Sequence, residues 1–178
     1  MPEVASMKKA YGFTLIELLV VMAIISIIAA VAVPGLMRAK MSGNETAALA
    51  DLRQITVAET MYSVGCGGGA YAVLLSTLAV PAPGTTEPYL ERPLASGGAP
   101  IKAGYTFSLA PASGAIVAGT DCNGTPTQTA YYATAKPLSL VTTGSRSFAT
   151  NTAATIWQNS TATPPAEPFG APDVPIGG

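Results

Sequence analysis

The chain has 178 residues, about one domain's worth, of which 49% are hydrophobic and 11% charged. With 9 basic against 10 acidic residues the formal net charge is −1, too little pull on a phosphate backbone for a general nucleic-acid binder, and no sequence-specific nucleic-acid partner is expected. Histidine is absent and only 2 cysteines occur, which removes Ser-His-Asp and Cys-His triads, the commonest metal ligand and a structural zinc site, so no catalytic residue, metal or cofactor is expected.

Residues 1–12, MPEVASMKKAYG, form a short polar lead carrying Lys8 and Lys9, and either Met1 or Met7 fits as the start. Leu18 to Met37 is an uncharged run of 20 residues. As a helix it spans about 30 Å, the thickness of a bilayer's hydrocarbon core. Its Ser26 can bond back to its own turn. A positive lead before an apolar run is an export signal. Three readings of it compete: a cleaved signal peptide, for which Ala30-Val31-Ala32 supplies an A-x-A-like site; a plain membrane anchor; and an exported subunit whose helix is retained and buried against copies of itself. Glu17 bears on the choice. A carboxylate at the start of hydrocarbon is costly unless paired or hydrated, and a disposable signal has no use for it.

Gly12-Phe13-Thr14-Leu15-Ile16-Glu17, after Lys8-Lys9 and before LLVVMAIISIIAAVAVP, resembles the class III signal of the type IV pilin superfamily, which includes type IV pilins and the pseudopilins of type II secretion. The match covers about residues 7–40. The resemblance implies that a prepilin peptidase cuts between Gly12 and Phe13 and then N-methylates Phe13, so the apolar helix is kept. It also implies a homo-oligomeric helical filament, insertion in the inner membrane as a single-pass precursor, an assembly platform and an assembly ATPase. Pro34 corresponds to the family's helix-kinking proline. Cleavage puts a new amine at Phe13, four residues before Glu17. Positions i and i+4 share a helix face, so amine and carboxylate can pair within one chain, or Glu17 can meet the terminus of the next subunit. A buried ion pair adds little net stability but penalises wrong registers. Glu17 is therefore expected to set register while Leu18 to Val33 provide cohesion, with Ala23, Ala29, Ala30 and Ala32 allowing close approach.

Pro34 removes a backbone donor and Gly35 adds freedom, which predicts a kink rather than a helix end, because helical signals resume at once. Residues 36–64 read as an amphipathic continuation. Ala48, Leu52, Ile55 and Tyr62 share one face, and Glu59 falls inside that stripe, either to pair with a basic residue or to lie beyond the packed zone. Gly65, Gly67, Gly68 and Gly69 end the helix. Lys8 and Lys9 before the run balance Arg38 and Lys40 after it, so basic count leaves topology tied until the new amino terminus is added. Cys66 and Cys122 are the only pair; a disulfide is expected if the C-terminal part lies outside the cytoplasm, two free buried thiols otherwise.

The C-terminal part carries short β signals. Residues 71–79 read as a short helix and 80–103 as a proline-rich surface loop. Strands are predicted at Gly104–Leu109, Ala115–Gly119, Ala130–Ala135, Arg146–Thr150 and Ala154–Trp157, three to five of them packing one face on residues 48–62 of the helix. Residues 159–178, with 5 prolines, read as a loose tail. Gly65 to Gly69 lacks the Lys-Ser or Lys-Thr of a phosphate loop. Asp121 reads as a turn residue beside Asn123-Gly124 rather than a calcium ligand. Asn44, Asn123 and Asn159 begin sequon matches that a Thr-rich chain produces by chance.

The expected fold is α+β and type IV pilin-like: a long N-terminal helix, its apolar half projecting and its amphipathic half packed on a small antiparallel sheet. The divisions are a leader over 1–12, a transmembrane and filament-core helix over 13–40, a globular domain over 41–158 and a tail over 159–178. The expected function is a structural subunit of a type IV pilus-like filament. Two readings stand beside it: a pseudopilin of a short periplasmic pseudopilus, and an anchored periplasmic binding domain that does not polymerise.

Overall fold

The computed structural model describes residues 12–176, so Lys8, Lys9 and the rest of the leader up to Tyr11 lie outside the described residues, as do Gly177 and Gly178. The chain divides between Arg38 and Ala39 into two compact units. One helix, α1 (Leu15–Gly65), accounts for the described part of the first unit apart from residues 12–14 and enters the second. Residues 12–40 are all exposed, and the helix is long and apolar enough to cross a membrane. The helical assignment continues through Pro34 and Gly35.

In the second unit, α1 buries Glu45, Ala48, Asp51, Leu52, Ile55, Ala58, Glu59, Tyr62 and Ser63. The steps of three and four are those of one helix face. Ala48, Leu52, Ile55 and Tyr62, the expected stripe, are all at most 1% exposed. The helix closes at Gly65. Cys66 and Gly67 both donate to the Tyr62 carbonyl, at 2.9 and 2.7 Å. A Cβ on Gly67 would lie 2.2 Å from the Ala70 carbonyl oxygen, so only glycine fits this turn.

Nine strands follow among the described residues: β1 (Tyr71–Ala72), β2 (Ile101–Lys102), β3 (Tyr105–Pro111), β4 (Val117–Thr120), β5 (Pro126–Gln128), β6 (Tyr131–Pro137), β7 (Ser147–Asn151), β8 (Trp157–Asn159) and β9 (Val174–Pro175). They form two antiparallel sheets, β1-β5-β4 and β2-β3-β6-β7-β8-β9. The expected α+β arrangement of a long helix on antiparallel sheet is present, but as nine strands in two sheets rather than three to five in one.

The large sheet is organised around β6. Phe107 of β3 and Phe148 of β7 both stand opposite Ala135, one on each side. Directly opposed residues share a face, so this row reads large, small, large. All three are 0% exposed, and they lie in one core cluster with Leu52 and Ile55 of α1.

Four expectations differ from the structure. Residues 71–79 contain β1 and a single 3-10 turn at Thr77–Ala79 instead of a helix, because the peptide groups of Ala72 bond to side chains and β1 pairs with β5. The 80–103 segment is not wholly surface: Leu90 and Leu94 are 1% exposed and plug the core. The last predicted strand begins only at Trp157, since Ala154 has φ 61°, in the left-handed region. The tail is not loose over its described residues. Tyr132 donates to the Pro165 carbonyl, Phe169 stacks on Trp157 with centroids 5.4 Å apart, and β9 pairs with β8. Prolines lack the donor for a long ladder, but their carbonyls and the side chains between them still bind.

Candidate functional site: the head of the apolar helix

The helix begins with a reciprocal cap. Thr14 precedes the first helical residue, and Glu17 is the third. Glu17 Oε2 accepts the Thr14 backbone N–H at 3.0 Å and its hydroxyl at 2.6 Å. The Glu17 N–H donates back to Thr14 Oγ1 at 3.3 Å. This is a capping box, in which orphan N–H groups of the first turn are satisfied reciprocally. Its sequence signal is the T-x-x-E spacing of Thr14-Leu15-Ile16-Glu17, which gives Glu17 a local capping role in the single chain. Both bonds to the carboxylate go to Oε2. Phe13, beside it, is 81% exposed. Further along, Ser26 donates to the Met22 carbonyl at 2.7 Å, the expected back-bond.

Thr14→Ala removes the hydroxyl that donates to Glu17 Oε2 and accepts from the Glu17 N–H. The expected result is a first turn destabilised by about 1 kcal/mol. Faster amide exchange at residues 15–18, with unchanged exchange at 48–62, is the measurement that checks it.

Glu45 and Asp51 of α1 find partners far along the chain. Glu45 accepts from Ser145 N and Oγ, both at 2.7 Å, and from Arg146 Nε at 3.0 Å. Burial alone raises its pKa, but these hydrogen bonds outweigh it and hold the carboxyl below its ordinary value. Lys102 Nζ reaches Asp51 Oδ1 at 2.6 Å. Glu59 meets neither expectation: it is fully buried, and it accepts from the Ala72 N–H at 2.9 Å rather than from a cation.

Cys66 and Cys122 form a disulfide with Cα atoms 4.9 Å apart, joining the end of α1 to the turn between β4 and β5. Asp121, next to it, has both carboxylate oxygens engaged within the fold. Its Oδ1 accepts the N–H groups of Asn123 and Thr125 at 2.9 and 2.7 Å, and its Oδ2 accepts the Tyr62 hydroxyl at 2.8 Å. That is the bonding of a turn aspartate. The three sequon asparagines all use their amide nitrogens. Asn44 donates to Thr143 O at 2.8 Å, Asn123 to Pro81 O at 3.2 Å and Asn159 to Asp173 Oδ1 at 3.0 Å.

The family model of the prokaryotic N-terminal methylation motif matches residues 7–33. Over 58 residues the chain is 47% identical to the Type IV wide pilus major component PilA4 of Thermus thermophilus. That similarity covers 33% of this chain and 44% of the relative, so the chain spans less than half the length of the curated protein it matches. No solved structure matches the chain. Residues 7–33 thus carry the class III signal motif of the pilins and pseudopilins, and from Leu15 onward they lie on the exposed apolar stretch of a long helix.

Proposed function

We propose that the chain is a structural subunit of a type IV pilus-like filament. It enters the inner membrane as a precursor, a prepilin peptidase cuts it between Gly12 and Phe13 and methylates the new terminus, and the platform and ATPase of the assembly machinery draw it into a homopolymer. The observation that carries this reading is the exposure of the apolar helix beside the methylation motif. Leu18, Leu19, Ile24, Ile25, Ile27 and Ile28 are each more than half exposed. Burying one such side chain gains about 1.5–3 kcal/mol, so the stretch needs lipid first and sibling helices afterwards. The driving force between helices is close packing, for which Ala23, Ala29, Ala30 and Ala32 leave room. Pro34 and Gly35 act as the kink that lets the stretch adjust to its neighbours.

A secretion pseudopilin is the second reading, and one observation favours it. The disulfide joins the end of α1 to the β4–β5 turn, with Cys66 immediately after the helix. It does not enclose the late C-terminal loop that pilins of the family usually have. Microscopy of intact cells separates the two, since a pilin gives extended surface fibres and a pseudopilin gives none. Mass spectrometry of the purified chain tests the processing. The expected first residue is an N-methylated Phe13; a chain starting beyond Val33 would mean that the helix is discarded and the proposal is wrong.

A further inference from the structure

Glu59 places a carboxyl group where the described residues offer no counter-charge. It is 0% exposed; Oε2 accepts the Ala72 N–H, and Oε1 is buried without a hydrogen-bond partner. Gln128, 3% exposed, binds the other side of the same residue: its Nε2 donates to the Ala72 carbonyl at 2.8 Å. Gln128 Oε1 is also buried without a partner. Ala72 therefore ties α1 to β5, while in the ladder it stands opposite Thr127. A carboxylate oxygen left bare in the interior is costly, and a proton on Glu59 removes the charge that makes it so.

The neighbours leave the proton as the simplest partner. Tyr62 on α1 and Tyr131 on β6 are the phenols close to Glu59, and Tyr71 on β1 packs on Tyr131 with centroids 5.2 Å apart. Asp121, in the β4–β5 turn, takes the Tyr62 hydroxyl. None of these is a cation. Lys102 and Arg146 are held by Asp51 and Glu45, Arg53 is exposed, and the chain has no histidine. A buried, unpaired carboxylate is expensive enough that the group neutralises instead.

We propose that Glu59 is a neutral carboxylic acid in the folded chain, and that its proton is a latch holding β1 between α1 and β5. Deprotonation leaves a bare charge in the interior beside Ala72 and loosens the small sheet beside the disulfide. Burial pushes the Glu59 pKa up to about 8 against an ordinary 4.5, opposed only by the Ala72 N–H. Between those two values the folded chain keeps a proton that the unfolded chain has lost. Stability is therefore complete below about 4.5, declines as pH rises to about 8, and levels off above it.

The test uses the full processed chain in detergent. In denaturant titrations across this range, the unfolding constant of the wild type should rise by up to about tenfold per pH unit. Glu59→Gln, neutral at every pH, should flatten that dependence. A profile for Glu59→Gln parallel to the wild type would overturn the proposal. A readout on the unmodified chain stands apart from any variant's folding: carbon NMR of labelled glutamate carboxyls should find one titrating near 8. If every glutamate titrates near or below its ordinary value, Glu59 is ionised in the fold and no latch exists.

Discussion

Glu17→Val is expected to leave the globular unit folded and to cut filament yield about a hundredfold or more. If Glu17 meets the amine of a neighbouring Phe13 inside the helix bundle, removing it strands that amine in an apolar setting, and breaking one side of a buried pair costs about 3–5 kcal/mol. The capping box supplies a competing explanation. Valine also abolishes the bonds from Thr14, but a lost cap is worth only about 1 kcal/mol. Glu17→Gln separates the two, because glutamine keeps an oxygen for Thr14 and carries no charge. Under the register account, Gln assembles almost as poorly as Val, and Thr14→Ala assembles nearly as well as the wild type. Wild-type yield from Glu17→Gln, counted by sedimentation of sheared filaments and checked by electron microscopy, would reduce Glu17 to a cap.

What the chain announces in advance and what it conceals divide along physical lines. Ala48, Leu52, Ile55 and Tyr62 were legible because a buried helix face repeats every three to four residues, and tertiary packing needed only to accept it. The Tyr105–Pro111 strand was legible because its alternation survives in the fold, with Tyr105, Phe107 and Leu109 all buried. Strands β1, β5 and β9, of two or three residues, carry no period to read. They exist because long-range partners hold them. The pairing of Glu45 with Arg146 crosses 101 positions, and no local spacing encodes it. Glu59 shows the limit from the other side. Its place on the stripe was visible, but a carboxyl on an apolar face suggests a cation, and the partner found was the backbone of Ala72. At the candidate site, the T-x-x-E cap was written locally in full. It was hidden only because the same glutamate also stands out as a charge at the edge of hydrocarbon, which points to membrane and processing chemistry first.

Phe107→Ala should cost about 3–5 kcal/mol, a large part of the roughly 5–15 kcal/mol that keeps a domain of this kind folded. The reason lies in its row. Phe107 and Phe148 flank Ala135 across three strands, and a methyl group between two rings leaves neither neighbour able to move into the gap. Phe148 is also held by Tyr105, two residues before Phe107 on β3, with centroids 5.8 Å apart, and Tyr105 is pinned by its hydroxyl to the Arg146 carbonyl at 2.8 Å. A cavity at 107 therefore stays largely open, which puts the cost toward the upper end. Phe107→Leu, which keeps most of the apolar volume, should cost about 1 kcal/mol. Denaturant midpoints of the two variants in detergent check the ranking. The same pair tests the division of labour between the two units. If, as proposed, the cut after Gly12 reads only the leader and the helix head, Phe107→Ala precursor should still be processed at Phe13 while yielding few filaments, since an unfolded surface unit cannot pack around a bundled core. If Phe107→Ala is neither cleaved nor inserted, processing reads the folded unit as well, and the helix head does not act alone.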